Sequence, residues 1–455
     1  MRTIFISIFQ GIEAKNILRT DVARTLLSEP DVQLVCFVKS RERADYCQKE
    51  FPHERVTYEV FYRAPDGRFE RLMSFLKFHL IRTKTTALKR RMHLEETGDH
   101  LRYALSVFAN WLIARPSVRK LLRSLDHYLI SDPGFSPLFL RYRPDVVFLA
   151  HLFDDVEVAM LREARRRGVP TVGYINSWDK VTARSSLRLL PDVLLVFNEI
   201  VRAEAVKYAD MPAGLVIPAG IPQYDQYIND QPSSREAFFK KIGIDPAKKL
   251  VVYAPMGKAF SDSDWEVIDF MKQASDERRI EAGAELFVRF QPNDFIDEIE
   301  LTKRPWLKYD LPGIRFGQKR GVDWDMGFEE LKHLTDTLAY LSVIVCYASS
   351  IAIDASIFDK PVIGIAFEIK PGQPLKKSPT QYYRTEHYSK AIQSGGIYLA
   401  RSRTELVEAI NRYLAHPAYE REGRKRLVQS QCWKLDGKAG ERLALAVLKA
   451  MEQKH

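Results

Sequence analysis

The sequence predicts an α/β protein of two halves, each a parallel sheet with helices between its strands. Three observations predict it. Residues 341–367 (LSVIVCYASSIAIDASIFDKPVIGIAF) hold a strand, a turn of small residues, a helix and a second strand within 27 positions. Residues 3–38 have the same strand–turn–helix–strand order, and residues 144–222 run through it again. A chain of 455 residues is too long for one core, so two domains of roughly 200 residues each are expected.

In chain order, residues 3–9 read as a strand, Gln10-Gly11 as its turn, and a helix follows near residues 16–27. Residues 31–38 are a second strand, 41–48 a helix and 56–61 a third strand. Only Gly11 lies in the first loop, so the glycine fingerprint of a dinucleotide site is missing. Residues 67–130 are helical in tendency and basic: positions 61–140 hold 14 Lys and Arg against 7 Asp and Glu. Aromatic and aliphatic residues are interleaved with these cations. Two readings stand open, a basic amphipathic segment lying on an anionic membrane, or packed helices with a solvated charged face.

Alternation resumes at Pro144. Residues 145–150 are a strand with His151 at its C-terminal end, 154–167 a helix, and 169–176 a strand followed by Ser177, Trp178, Asp179 and Lys180. Residues 192–198 and 215–217 are strands, with helix 199–209 between them. The polar, turn-rich residues 229–234 read as a linker. The expected domains are therefore 1–228, with its helical region at about 67–130, and 229–432, followed by a C-terminal helix, 433–455, packing back on the first.

In the second half, strand 250–254 ends at Gly257, and strand 285–290 carries Arg289 before Gln291. Residues 314–316 read as a short strand and 328–339 as a helix. After the 341–367 unit, residues 369–385 form a polar loop, His387 introduces helix 388–393, and strand 396–399 and helices 403–414, 420–431 and 441–453 close the chain.

Open parallel sheets bind ligands beyond the carboxyl ends of their strands. In the first half that rule selects Gly11, His151 and Ser177–Lys180, with His151 and Asp179 as candidate bases for an incoming hydroxyl. His151 suits that role at its ordinary pKa, whereas Asp179 needs burial to shift it. In the second half Arg289 can grip a phosphate bidentately. Ser349 and Ser350 either cap the following helix or donate to a phosphate. Asp354, one turn further, either accepts from sugar hydroxyls or pairs with a cation.

Spacing patterns for zinc, HExxH and CxxC among them, are absent, as are the GxSxG elbow and the P-loop, so no metal and no cofactor is expected. The four cysteines, Cys36, Cys47, Cys346 and Cys432, are dispersed and read as buried thiols of a reducing compartment. No apolar run approaches a transmembrane length. The net charge of +10 points to an anionic partner, and no nucleic-acid recognition module is visible.

Several segments together carry a family likeness: residues 5–20 with Gly11 and Asn16, 144–184 (PDVVFLAHLFDDVEVAMLREARRRGVPTVGYINSWDKVTAR), 191–199 (PDVLLVFNE), 218–225 (PAGIPQYD), 289–294 (RFQPND), 347–365 (YASSIAIDASIFDKPVIGI), 387–406 and 435–444. The chain resembles nucleotide-sugar-dependent glycosyltransferases of the GT-B type, nearest to bacterial surface-polysaccharide transferases and CDP-glycerol glycerophosphotransferase relatives. The resemblance implies two Rossmann-like domains facing across a cleft and a metal-independent transfer of sugar to a surface-glycan or lipid-linked acceptor. It implies a cytoplasmic location at the inner face of the membrane. Alternatives on the same scaffold are glycerophosphotransfer, nucleotide-sugar epimerisation and non-catalytic binding.

The resemblance further implies donor phosphate near Arg289, Ser349 and Ser350, and nucleotide or glycosyl contacts near Gly257, Asp354 and His387. It places the acceptor near Gly11, Asn16, Ser177, Trp178 and Lys180. Similar enzymes often read R-x-H-P after the second-domain strand. Here Gln291 stands in the histidine's place, a hydrogen-bond donor that carries no charge.

Overall fold

The computed structural model describes all residues except 62, 64–66, 132, 295, 318–323 and 453–455. The chain forms two units. The first comprises Met1–Arg90, Asp99–Asn229 and the segment from Cys432 onward, and the second Arg91–Gly98 and Asp230–Gln431.

The strands of the first unit are β1 (Arg2–Ser7), β2 (Val32–Val38), β3 (Val56–Val60), β4 (Val146–Leu149), β5 (Thr171–Tyr174), β6 (Val193–Val196) and β7 (Val216–Pro218). They form one parallel sheet in the order β3-β2-β1-β4-β5-β6-β7. β1 has β2 on one side and β4 on the other, with Ile4 opposite both Leu34 and Val146. The strand order therefore reverses between β1 and β4, which opens a crevice at their carboxyl ends.

The second unit contains β8 (Lys249–Ala254), β9 (Ala284–Arg289), β10 (Lys308–Asp310), the antiparallel pair β11 (Ile314–Arg315) and β12 (Trp324–Asp325), and β13 (Leu341–Cys346), β14 (Val362–Ile365) and β15 (Tyr398–Ala400). Its main sheet is parallel, in the order β10-β9-β8-β13-β14-β15, and reverses between β8 and β13. Two doubly wound parallel sheets are the α/β architecture the sequence predicts.

Local differences have physical causes. The helix expected near residues 16–27 is two helices, Gly11–Ile17 and Asp21–Ser28, because the Thr20 hydroxyl accepts from the Val22 N–H at 3.3 Å and caps the second. The strand expected at 314–316 is a two-residue ribbon outside the main sheet. The sheet edge is instead β10, whose Lys-Tyr-Asp sequence has no apolar run.

The helix Ala439–Glu452 belongs to the first unit and packs on Asp21–Ser28. Gly440 permits the approach: a Cβ there would lie 3.0 Å from the Val22 nitrogen. The buried Asp225 carboxylate accepts from the Ala439 and Gly440 N–H groups at 2.9 and 2.7 Å, satisfying donors at the helix start.

Between β3 and β4 lie the helices Arg68–Leu76, His100–Ile113 and Pro116–Leu129, and buried ion pairs tie the last of them and the turn at Lys77 to the first unit. Asp126 accepts from Arg162 at 2.6 Å and Arg188 at 2.7 Å, and Asp210 from Arg119 at 2.5 Å and Arg123 at 2.7 Å. Lys77 reaches Asp155 at 2.9 Å. Such charges persist in an interior only when paired.

The Asp225 anchor sets a testable cost. Replacing it, Asp225→Ala, leaves two buried N–H donors without an acceptor and is expected to destabilise the protein by about 2 kcal/mol in chemical denaturation. A change indistinguishable from zero would mean that the helix Ala439–Glu452 is held by its apolar face alone.

Candidate active site

The reversal point of the first sheet gathers ionisable side chains from three elements. Glu13 stands in the first turn of the helix after β1. Its Oε2 accepts from the Phe9 and Gln10 N–H groups at 2.5 and 3.0 Å. Glu157, on the helix Asp155–Arg166, accepts through Oε1 from the Ser7 hydroxyl at 2.5 Å and the His151 N–H at 3.0 Å. Its Oε2 lies 3.1 Å from His151 Nδ1.

His151 follows β4 as expected, but it is 0% exposed. Its Nε2 and the Glu13 Oε1 are buried with no hydrogen-bond partner. Asp154 is the member of the group nearer solvent, with Oδ2 3.6 Å from His151 Nδ1 and bonded by Gln10 Nε2 at 2.5 Å, and Oδ1 bonded by Arg184 at 2.8 Å.

Burial governs the protonation of this cluster. It pushes the Glu13 carboxyl up to about 8, with Lys180 opposing and Asp154 adding. It pushes Glu157 well above the carboxylate range, helped by Glu13 and Asp154. Burial, then the cations Lys180, Arg184 and Lys77, holds the His151 ring well below its ordinary value. Lys180 is drawn down to about 8, again chiefly by burial. The expectation of an unperturbed histidine base is therefore corrected: His151 is a neutral imidazole oriented by Glu157 through Nδ1, with Nε2 unengaged.

The fold also brings together a group that no spacing pattern in the sequence marks. One ligating atom each from Glu13, His151 and Glu157 lie within 4.8 Å of one another. The residues come from separate elements, so no spacing pattern could reveal them. Lys180 is the cation that most opposes the rise in the Glu13 pKa.

Other first-unit candidates are placed as follows. Gly11 opens the first helix and is buried. The Asn16 amide donates to Ile12 O at 2.8 Å, back into its own helix. Ser177, Trp178 and Asp179 are half-buried beyond β5, the Ser177 hydroxyl donating to the Asp179 carboxylate. Lys180 is buried in the cluster rather than presented at a surface. Sequence reasoning missed Glu13, Glu157 and Asn176. Asn176 sits just past β5, 1% exposed, with both amide atoms unpartnered. Its position at a strand end was the signal available.

In the second unit the turn after β13 leads into the helix Ile351–Ile357. Ser350 is exposed and its side chain does not cap the helix. Ser349 is half-buried beside it. Tyr388 braces the turn, its hydroxyl donating to Ser349 O at 3.4 Å. Asp354 is buried in that helix, and His387 is half-buried in the first turn of Glu386–Ile392. Glu368, beyond β14, accepts from Ser378 and Thr380 through Oε1 and keeps Oε2 buried and unpartnered. It is a further acceptor that sequence reasoning missed.

Three further donor-site candidates sit in local hydrogen-bond networks. Arg289 is buried and bonded to Asp310, its register partner on β10, at 2.7 Å, while His333 Nε2 holds the same carboxylate at 2.8 Å. One guanidinium nitrogen of Arg289 is engaged in this triad. Gln291 donates to Pro255 O at 3.0 Å and Met256 O at 2.7 Å, strapping the loop after β9 to the loop after β8. Gly257, at φ 86°, is required by its neighbours: a Cβ would meet Asp294 Oδ2 at 2.4 Å. Asp264 organises the same loop, accepting from Tyr253 Oη, Met256 N and Gly257 N, and burial lifts it to about 6.

No family model matches the chain, and no curated protein matches it. Solved structures do. The UDP-GlcNAc 2-epimerase of Neisseria meningitidis bound to UDP-GlcNAc superposes with TM-score 0.57 at 10% identity, covering 99% of this chain and 100% of that one. The wall teichoic acid polymerase TagF soaked with CDPG gives TM-score 0.53 at 11% identity, covering 99% and 89%. A glycosyltransferase from Rickettsia africae gives 0.51 at 9% identity, covering 100% and 98%. These likenesses establish the fold class, two Rossmann-like units of the GT-B type.

The cluster has a pH signature. The folded Glu13 keeps its proton up to about pH 8, whereas the unfolded chain releases it near 4.5, so its contribution to stability is lost as pH rises across that window. Lys180 is neutral in the fold above about 8 but charged in the unfolded chain up to 10.5, so its contribution rises from pH 8 to 10.5. Denaturation midpoints measured across this range should flatten below pH 8 in Glu13→Gln. Identical profiles for wild type and variant would contradict the assignment.

Proposed function

We propose that this chain is a glycosyltransferase that moves a sugar from a nucleotide-activated donor to a surface-glycan or lipid-linked acceptor. The observation that carries the reading is the pairing of the more exposed Asp154 carboxylate with a His151 ring oriented by Glu157, at the reversal point of the first sheet. The GT-B fold supports it, because fold neighbours include a glycosyltransferase and proteins solved with UDP-GlcNAc and CDPG.

In this reading the second unit binds the donor. The Ser349 and Ser350 hydroxyls donate to its phosphates, and Glu368 accepts from its hydroxyls. Asp354 and His387 serve as nucleotide or glycosyl contacts, and Arg289 fixes β9 against β10 through Asp310. The first unit binds the acceptor around Ser177, Trp178 and Asp179, with Gly11 and Asn16 shaping the first loop. The acceptor oxygen forms a bond to the anomeric carbon, and the bond from that carbon to the diphosphate oxygen breaks. The electron pair leaves with the nucleotide, and the acceptor proton passes to the Asp154 carboxylate, whose Oδ2 lies 3.6 Å from the His151 Nδ1 that Glu157 orients. Asp179, tied to Ser177, positions the acceptor. A protein taking a lipid-linked acceptor works at the membrane surface, and among the described residues no helix is long and apolar enough to cross it.

Epimerisation of a nucleotide sugar is the second reading. It is favoured by the two buried carboxyls Glu13 and Glu157, whose raised pKa values suit proton transfer at carbon.

A thermal-shift screen over UDP, GDP, CDP, CMP and their sugars identifies the donor through stabilisation by mass action. Mass spectrometry of the product, with and without glycan acceptors, then separates transfer from epimerisation. His151→Gln and Asp154→Asn are each expected to lower turnover by roughly 10²–10⁴-fold with donor stabilisation unchanged. Full activity in both would remove the proton path.

A further inference from the structure

The helical region between β3 and β4 is patterned inside out. In His100–Ile113 (HLRYALSVFANWLI), Leu101, Leu105, Phe108 and Leu112 recur at helical spacing and all face solvent, Leu101 being 72% and Phe108 60% exposed. Trp111, 51% exposed, stacks on Phe108 with ring centroids 6.0 Å apart. The buried side chain of this helix is polar: the Asn110 amide donates to His79 O at 2.6 Å and Ile81 O at 3.0 Å. Arg68–Leu76 buries Glu70 and Met73 but exposes Phe69, Leu72 and Phe75. Phe78, on the turn that contacts both helices, continues the surface. Monomeric proteins rarely leave such an area of aromatic side chain in water.

Cations border this surface. Arg68 and Arg71 are exposed on the first helix and Arg102 on the second, and Arg115 lies over the Trp111 ring at 5.5 Å. The helix His100–Ile113 contains no carboxylate.

We propose that the face formed by Arg68–Leu76, Phe78 and His100–Ile113 docks in the plane of an anionic lipid bilayer, with the aromatic side chains in the acyl boundary and the arginines on lipid phosphates. A helix of 14 residues, about 21 Å long, suits an in-plane position rather than a span. Charge decides against a second copy of the chain. A two-fold pairing of this face would set Arg68, Arg71 and Arg102 against the same cations, whereas an anionic leaflet neutralises them. The proposal does not rest on the transferase reading, and its test uses no activity.

The test is flotation of the full-length protein with vesicles of phosphatidylcholine alone and of phosphatidylcholine with phosphatidylglycerol, at low and high salt. Wild type is expected to float with the anionic vesicles and to be released by salt. Leu105→Ser/Phe108→Ser/Trp111→Ser is expected to lower the floated fraction roughly tenfold or more with an unchanged melting profile. In the wild type, Trp emission should shift to the blue when anionic vesicles are added, and Trp111→Phe should lose that shift. Wild type remaining at the bottom of the gradient, or the triple variant floating as well as wild type, would overturn the proposal. Dimerisation that the triple variant abolishes, without flotation, would assign the face to a second copy and overturn it as well.

Discussion

The Glu157 carboxylate is the point on which the first unit turns. It takes the Ser7 hydroxyl at the end of β1, the His151 N–H after β4 and the His151 ring, from a helix packed on the sheet. Three segments distant in sequence are thereby fixed at the place where the strand order reverses. A carboxyl in such surroundings is costly to ionise, and Glu13 and Asp154 nearby raise the cost further. The same burial that makes the group expensive keeps His151 neutral and its outer nitrogen unengaged. Stability and candidate chemistry are thus set by one hydrogen-bonded carboxyl, and Lys180 balances the charge.

Polar attachment runs through the inserted helices. Asp126, Asp210 and Asp155 pair with basic side chains at Pro116–Leu129 and Lys77, and the Asn110 amide ties down His100–Ile113. Many apolar residues of Arg68–Leu76 and His100–Ile113 are left on the outer face. Buried pairs of this kind contribute little net stability but are strongly destabilising when one partner is lost. The arrangement therefore costs stability that an apolar interface would supply, consistent with an outer face kept for a ligand of its own.

Much of the fold was legible because its strands are short, buried and β-branched, as at 341–346, and because turns between them are rich in small or polar residues. β10 was not legible, since Lys308-Tyr309-Asp310 carries none of these marks at a sheet edge. That omission hid the partner of Arg289, which therefore read as a free phosphate ligand. His151 was found from its strand end. Glu13 and Glu157 were not, because each sits on a helix where a glutamate reads as a solvated charge, and neither is near His151 in sequence. The inserted helices show the converse problem. Periodicity reveals two faces, but not which one turns inward, and that was decided by Asp126 and Asp210 pairing with arginines from distant segments.

The central claim is that His151 is a buried, neutral imidazole held by Glu157. Nitrogen-15 NMR of histidine-labelled protein tests it directly, with His151→Gln assigning the signal among the ten histidines. The account predicts that the His151 ring stays neutral, with an unchanged tautomer, at pH values where exposed histidines have already taken up a proton. A ring that titrates at its ordinary value near 6.5 would contradict it.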